Sequence, residues 1–408
     1  MKTETLATSP SQVADRLSPE RINTIDILRA ITMVTMVFVN DLWSLTNIPQ
    51  WLLHVDVNVD GMGLSDVIFP AFLFIVGLSI PYALKNRRRK GDSTAQLLGH
   101  VVWRSVALLV MGVWLVNGEG INAEATGIPR WVWSPVVCTC FIMIWHQYDA
   151  SRHRLLAPGL RALAIVILLV LAWIYRGGPD DALRTFGPRW WGILGLIGWA
   201  YLASATIAVF ARNRIPVIFG FWLFFCLLSI MHHAGMIPSF LNFIPPAIRG
   251  GTLTALALGG VLTALVFEHY RQLGKNKTLT LVLACAAIAL FGLSVILRPY
   301  WGISKQYETP SWLFVCSAIT IAAFLVLYWI VDIGGKAHWF RWAKPAGVAT
   351  LLCYLMPHYG YFIKQLSGIP LPDVMLSGAL GLMKSFLFAL LCVWFTGLLL
   401  RAGIRMRL

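Results

Sequence analysis

The segment between residues 40 and 66 concentrates the polar side chains that could carry out chemistry. It holds one histidine, His54, and no lysine or arginine. Its four carboxylates are those of Asp41, Asp56, Asp60 and Asp66. A histidine near its unperturbed pKa, with a carboxylate to fix its tautomer, is the usual general base at neutral pH. The sequence therefore predicts His54 as a base, and its acidic surroundings favour a cationic amine as the group deprotonated. A loop histidine bonded to a backbone carbonyl is the alternative.

The same segment copies the opening of a calcium-binding loop. Asp56, Asn58 and Asp60 alternate and Gly61 follows them. The full pattern needs a bidentate glutamate at its twelfth position, which here is Val67. We therefore expect no metal site and favour an ordinary polar turn, with calcium left open.

Three basic side chains lie inside apolar runs, where each charge costs about 2.5–3.5 kcal/mol and usually has a partner or faces a cavity. Arg29 follows Asp26 by three residues, which predicts an ion pair on one helix face. Arg104 lies near enough to the end of its run to snorkel. Either arginine could instead reach the phosphates of a cytosolic ligand. Lys384 has no nearby acid in the sequence, so it needs a tertiary partner or a polar cavity.

Two further basic features remain. His358 lies about halfway along its apolar run, directly after Pro357, where it would form an interhelical hydrogen bond or belong to a site. The cluster of five basic residues at positions 85 and 87–90 is typical of a stop-transfer signal that binds anionic lipid. Binding of a phosphorylated headgroup is the alternative there.

The elements that must position these residues are membrane helices. The chain has 408 residues, of which 58% are hydrophobic and only 12% charged, too few charges for a water-soluble globule. We predict an all-α, polytopic helical membrane protein with about twelve transmembrane helices, ten or eleven remaining open. The predicted spans lie near residues 24–40, 66–84, 101–116, 131–146, 160–175, 190–211, 214–231, 251–267, 278–297, 311–333, 346–363 and 377–400.

The basic residues predict the orientation of these spans. With a cytoplasmic N-terminus, 22 lysines and arginines fall on the inside and 8 on the outside, as the positive-inside rule requires. Both termini are then cytoplasmic, and the net charge of +15 reports topology and not nucleic-acid binding. We expect residues 1–22 to form a disordered cytoplasmic tail and residues 23–408 a single transmembrane domain.

All seven cysteines lie inside apolar runs. Buried apolar cysteine is the favoured interpretation. The same interpretation is favoured for Cys138 and Cys140, although a metal site could use their spacing.

Several motifs in one order carry a resemblance to a known family. They are RINTIDILR at residues 21–29, MVFVN ending at Asn40, His54, SDVIFPAFLFIVGLSI at 65–80, WRS at 103–105 and VN at 116–117. Together they resemble the membrane acetyltransferases typified by heparan-alpha-glucosaminide N-acetyltransferase and its bacterial relatives. The similarity is looser at TPSWLF (309–314) and around His358.

The resemblance implies a transmembrane acyltransferase-like bundle in the bacterial inner membrane. Such enzymes take acetyl-CoA from the cytoplasm and acetylate an amino sugar or glycan on the far side. The essential histidine of the family matches His54, and its site-lining asparagine and aspartate match Asn40 and Asp66. Its histidine near the end of the chain matches His358. A homodimer is left open.

The resulting hypothesis gives each residue a role. His54, oriented by Asp66, deprotonates the acceptor or carries the acetyl group itself, and Asn40 donates a hydrogen bond to the oxyanion. Arg29, Arg104 and the cluster at 85–90 are candidates for the nucleotide end of acetyl-CoA, and His358 completes the donor-binding set. The alternatives are a transporter of a sugar or cell-wall fragment, an O-acyltransferase of surface polysaccharide, and a non-catalytic scaffold.

Overall fold

The computed structural model describes residues 23–148 and 156–408, which are mostly helical. Twelve helices of sixteen or more residues dominate this part of the chain. They are α1 (Asn23–Asp41), α2 (Leu64–Arg89), α3 (Thr94–Glu119), α4 (Arg130–Trp145), α5 (Leu156–Ile174), α6 (Ile193–Ala211), α7 (Ile215–His233), α8 (Thr252–Gln272), α9 (Asn276–Trp301), α10 (Pro310–Tyr328), α11 (Thr350–Ser367) and α12 (Gly378–Arg401). A π-helical turn, Trp329–Ile333, extends α10. The predicted tail at 1–22 lies outside the described residues.

Each of the twelve predicted spans coincides with one of these helices, so the all-α polytopic membrane fold is confirmed. Within residues 23–148 and 156–408, nine helices are long and apolar enough to cross a membrane. Helix α4 is apolar but shorter. Helices α1 and α11 carry polar groups within their length, such as Asp26 and Arg29 in α1 and His358 in α11. A total of twelve crossings stays a prediction.

The bundle has a buried centre and a lipid-facing rim. In α8, 78% of the most apolar 18-residue stretch is buried, against 22% of the corresponding stretch in α5, α7 and α9. Helices α2 and α8 touch backbone to backbone, because a Cβ on Gly77 would lie 1.9 Å from the Ala257 carbonyl oxygen. Small residues at such crossings allow close packing in a membrane. Helix α2, which begins beside His54, is therefore held at the centre.

Six of the seven cysteines are buried, as predicted. Cys285 is the exception and is exposed. The prediction was wrong there because α9 lies at the rim, where an apolar side chain faces lipid and not the protein core.

The connecting segments gather at two ends of the bundle. Residues 42–63, 302–309 and 368–377 form what we call the His54 face, since the amide of Gly61 donates to the Ile303 carbonyl and that of Thr46 to the Leu376 carbonyl. Residues 90–93, 273–275 and 334–349, with the start of α1, form the Asn23 face. There the Thr24 hydroxyl donates to Asp332 over 2.6 Å.

A buried ion pair joins the end of α1 to α12. The Nζ of Lys384 lies 2.7 Å from Oδ2 of Asp41, and only 16% and 5% of these side chains are exposed. The hydroxyls of Ser385 and Tyr361 also donate to Asp41, over 2.6 and 3.0 Å. The prediction that Lys384 needs a tertiary partner is confirmed, and the partner lies 343 residues away in sequence.

Removing the lysine should destabilise the bundle strongly. Lys384→Met leaves the Asp41 carboxylate buried without a cation, which we expect to cost about 3–5 kcal/mol of unfolding free energy. The measurement is thermal unfolding of the purified protein in detergent, and Lys364→Met, which changes an exposed lysine, is the matched control. The double variant Asp41→Asn/Lys384→Met should regain most of the loss. Equal melting temperatures for both single variants would contradict a role for the pair.

Candidate active site at the His54 face

Two short turns shape the segment that carries His54. Residues Leu42–Ser44 and Gln50–Leu52 form 3-10 turns, and Leu52 is buried in the core. The Ser65 hydroxyl donates to the Leu52 carbonyl over 2.6 Å. A Cβ on Gly63 would lie 1.9 Å from the carbonyl oxygen of Leu53, so the backbone passes there at a distance that only glycine allows. The segment therefore folds back and brings His54 beside the start of α2.

His54 and Asp66 meet in a short hydrogen bond. Nδ1 of His54 lies 2.6 Å from Oδ1 of Asp66, and 48% of the imidazole but only 5% of the carboxylate is exposed. The other oxygen, Oδ2, accepts the backbone N–H groups of Gly63 and Val55 over 3.0 and 3.1 Å. Asp66 lies in the first turn of α2, where the helix dipole favours a negative charge. This carboxylate is thus held in its anionic, accepting form.

The pair has the geometry of a base with its orienting group. An ionised Asp66 accepts a hydrogen bond from the protonated Nδ1, which leaves a lone pair on Nε2 of the half-exposed ring. A neutral imidazole in that tautomer can take a proton from a substrate. The structure brings together the two residues that the sequence proposed as base and carboxylate.

The loop between α9 and α10 closes over this pair. Nζ of Lys305 lies 3.3 Å from Nδ1 of His54 and 4.0 Å from Oδ1 of Asp66. The loop is fixed to the His54 segment by Asp60, which accepts from the Ile303 amide over 2.7 Å and from Nε of Arg298 over 2.9 Å. Although burial opposes it, these two hydrogen bonds hold the pKa of Asp60 below its usual value.

Trp312 contacts Asp66, and Glu308 lies in the same loop as Lys305. The indole N–H of buried Trp312, the third residue of α10, donates to the backbone carbonyl of Asp66 over 3.1 Å. Glu308 has a left-handed backbone, with φ of 53°, and burial raises its pKa to about 7. The loop therefore carries a carboxyl group that titrates near neutral pH, three residues after Lys305.

The expectation of an acidic surface around His54 is wrong. Asp41 pairs with Lys384, Asp60 with Arg298, and Asp66 lies between His54 and Lys305. The segment has no cation of its own, but distant helices and loops supply three. Among its four carboxylates, Asp56 alone has no cation within salt-bridge distance in the described part of the chain, so the acidic composition no longer argues for a cationic acceptor.

In the described part of the chain, neither Asn40 nor the carboxylates of the calcium-like stretch form a hydrogen bond with His54 or Asp66. Asn40 is exposed in the last turn of α1, and it shares no hydrogen bond with His54 or Asp66. Its role toward an oxyanion stays a prediction. The carboxylate of Asp60 is engaged by Arg298 and Ile303. Within residues 23–148 and 156–408, no group of three or more His, Cys, Asp and Glu side chains could hold a metal ion.

Arg29 has protein partners. Its guanidinium contacts Asp26 at 3.3 Å, as the spacing predicts, and also donates to Ser79 Oγ over 2.7 Å and the Gly347 carbonyl over 3.3 Å. Arg104 is half-buried, and its snorkelling toward an aqueous end stays a prediction. It stacks over the Tyr201 ring at 4.7 Å, with its buried Nε lacking a hydrogen bond among the described residues. A ring at this distance attracts the cation.

The remaining donor-binding candidates, His358 and the cluster at 85–90, differ in whether protein groups already bind them. His358 is half-buried in α11 and has no hydrogen-bond partner among the described residues, so the interhelical bond considered above is not found. In the cluster at 85–90, Lys85 pairs with Glu268 at 2.7 Å and Arg87 with Asp92 at 3.1 Å. Arg89 and Lys90 are exposed. Most of this cluster therefore serves the fold.

A cavity opens at the Asn23 face, at the opposite end of α1 from His54. Its volume is about 260 Å³. The first turns of α1 and residues 337–348 line it, and the lining includes His338, Arg341, Lys344 and Asp26. Sequence reasoning missed these basic residues because they lie in a connecting segment and were counted only as topology signals. It missed Lys305 for the same reason.

A methyl group at Gly63 should disturb the site. Gly63→Ala forces the backbone at Leu53 to shift, so we expect faster amide hydrogen exchange over residues 51–66 and a lower melting temperature. Gly61→Ala is the matched control, because its new Cβ would meet only the side chain of Val55 at 3.9 Å. Hydrogen exchange read by mass spectrometry measures both variants. Identical exchange in the two would contradict the close approach at Gly63.

The part of the chain that carries His54 and Asp66 is similar to known proteins. Residues 21–124 match the family model for heparan-alpha-glucosaminide N-acetyltransferase, catalytic. The chain is 36% identical over 106 residues to the heparan-alpha-glucosaminide N-acetyltransferase of Mus musculus, covering 25% of this chain and 15% of the relative. It is 34% identical over 103 residues to the Homo sapiens protein of the same name, covering 24% and 14%. The matched part is thus about a seventh of these curated relatives. The predicted resemblance to the heparan-alpha-glucosaminide N-acetyltransferase family is confirmed over the region that holds His54 and Asp66.

Proposed function

We propose that the chain is a membrane-bound acetyltransferase that moves an acetyl group from acetyl-CoA to an amino sugar or glycan at the His54 face. The observation that carries this proposal is the 2.6 Å contact between His54 and Asp66, with the imidazole open to solvent. The pair lies within the region similar to the acetyltransferases. The membrane helices and the relatives' printed activity agree with it.

The orientation follows from the basic residues. Residues on the Asn23 face belong to the segments richer in lysine and arginine, which the positive-inside rule assigns to the cytoplasm. The His54 face is then extracytoplasmic. For a bacterial chain, as the resemblance implies, the membrane is the inner membrane.

The chemistry assigned to the chain's own residues is proton transfer. When bound, acetyl-CoA supplies the acetyl group as a thioester. Nε2 of His54 accepts the proton of the acceptor amine as the new carbon–nitrogen bond forms, and returns that proton to the sulfur as the carbon–sulfur bond breaks. Asp66 stabilises the imidazolium in between. A route in which Nε2 itself carries the acetyl group uses the same pair.

We assign the phosphates of the donor to the cavity at the Asn23 face. Phosphate groups bind best to arginine and lysine side chains with free donors, and Arg341 and Lys344 line the cavity on its exposed side. Arg29 is engaged by protein groups and Arg104 by Tyr201. The cavity residues therefore replace these two as our donor-binding candidates.

This assignment sets a distance that the donor must bridge. The cavity reaches Ala30 of α1, and the helix ends at Asp41. At 1.5 Å per residue, the eleven intervening steps span about 17 Å. A donor with a long flexible arm between phosphate and thioester suits such a span. His358, midway along α11, is our candidate to line the path.

Loss of the base should abolish transfer. We expect His54→Ala to lower acetyl transfer from acetyl-CoA to glucosamine at least ~100-fold, because general-base catalysis contributes about that much or more. Asp66→Asn should also be severely impaired, whereas Asp56→Asn, which changes an exposed carboxylate in the same segment, should keep activity. Product mass spectrometry measures N-acetylation and distinguishes it from O-acetylation. Full turnover by a folded His54→Ala protein would overturn the proposal.

Donor binding should depend on the cavity and not on basic charge in general. The double variant Arg341→Ala/Lys344→Ala should raise the Kd for coenzyme A at least tenfold, because charge-assisted hydrogen bonds contribute about 1.5–3 kcal/mol each. Arg89→Ala/Lys90→Ala removes two exposed charges at the same end of the bundle and should bind normally. The measurement is calorimetry or thermal shift with coenzyme A. Equal affinity in the two double variants would contradict the assignment.

A further inference from the structure

We propose that Lys305 is a positioning residue whose charge keeps His54 neutral, so that the tautomer fixed by Asp66 can act as a base. The inference rests on the proposed function, since it gives the base of that reaction a third partner. Lys305 lies 239 residues beyond Asp66 in the sequence, outside the region that matches the acetyltransferase family model.

The ammonium lies close to both members of the pair. Nζ of Lys305 is 3.3 Å from Nδ1 of His54 and 4.0 Å from Oδ1 of Asp66, and 27% of the lysine side chain is exposed. Burial lowers the pKa of Lys305, and the Asp66 carboxylate acts in the opposite direction. The lysine is therefore placed where its charge acts on His54 as well as on Asp66.

Nδ1 of His54 can serve only one of its two neighbours. It donates when it carries a proton, which suits Asp66, and accepts when it has a lone pair, which would suit Lys305. The contact with Asp66 is shorter by 0.7 Å, at 2.6 against 3.3 Å. Two backbone amides already hold Asp66 as an acceptor. Nδ1 therefore keeps its proton and donates a hydrogen bond to Asp66, and the lone pair of Nε2 stays free.

The charge of Lys305 acts against a second proton on the ring. Asp66 alone would favour the imidazolium, which cannot act as a base, and a cation 3.3 Å away opposes it. In the described part of the chain, the other charged or titratable groups around the pair include the thiol of Cys316 on α10, which interacts with Asp66 and Lys305, Asp60, which Arg298 neutralises, and the carboxyl group of Glu308 in the Lys305 loop. Lys305 is thus the cation that balances Asp66 at the ring.

The loop holds the lysine in this place. The amide of Glu308 donates to the Lys305 carbonyl over 3.2 Å, and that of Thr309 donates to the Ser304 carbonyl over 3.1 Å. The Ser304 amide donates to the Thr309 hydroxyl over 3.0 Å. These bonds, with the Asp60 anchor at Ile303, fix the backbone on both sides of Lys305.

The test compares Lys305→Met with Lys305→Arg. Without the cation, the imidazolium is favoured, so the acid limb of kcat/KM against pH should move to higher pH by about one unit. At a pH on that limb, activity then falls about tenfold. Lys305→Arg keeps the charge and should keep the profile. Gln306→Met is the matched control in the same loop. A Met variant with lower activity at every pH and an unmoved acid limb would overturn the inference.

A second readout does not need turnover. Diethyl pyrocarbonate modifies only neutral imidazole, so the pH dependence of its reaction at His54, followed by peptide mass spectrometry, reports the pKa of the ring. The midpoint should rise by about one unit in Lys305→Met and stay in place in Gln306→Met. An unchanged midpoint overturns the inference even if acetyl transfer occurs. A wild-type chain without transfer overturns the proposed function alone.

Discussion

The carboxylate of Asp66 is the contact on which the His54 face depends. One side chain accepts from the ring of His54 and from the amides of Val55 and Gly63, so it fixes the orientation of the base and folds its segment in one step. The buried indole of Trp312 holds the backbone carbonyl of the same residue. Because Asp66 starts α2, which packs at the centre of the bundle, the imidazole rests on a rigid element although its segment is a loop.

The cost of charge in an apolar bundle explains the arrangement around this contact. Carboxylates of the His54 segment form ion pairs with cations from far along the chain: Asp41 pairs with Lys384, and Asp60 pairs with Arg298. Similar pairs occupy the Asn23 face, where Lys85 meets Glu268. Each of these side chains is therefore neutralised by a partner of opposite charge. The basic residues that line the cavity at the Asn23 face are exposed, which is why donor binding is assigned there.

The sequence predicted what local pattern controls. Apolar runs located all twelve long helices. The position of His54 among carboxylates predicted a carboxylate partner, and the resemblance to the acetyltransferases singled out Asp66. The sequence did not predict the tertiary partners, because no local pattern links Asp60 to Arg298, 238 residues away, or His54 to Lys305, 251 residues away. The same limit produced the wrong expectation of an acidic surface around His54. Side chains from distant helices and loops supplied the cations that the local sequence lacked.

The central claim is that one donor molecule reaches from the cavity at the Asn23 face to His54. The most direct measurement is a density map of the purified chain with a thioether analogue of acetyl-CoA, in which the acetyl group cannot leave. We expect the phosphates beside Arg341 and Lys344 and the acetyl end beside Nε2 of His54. An analogue bound wholly at one face, with its acetyl end remote from the imidazole, would contradict it.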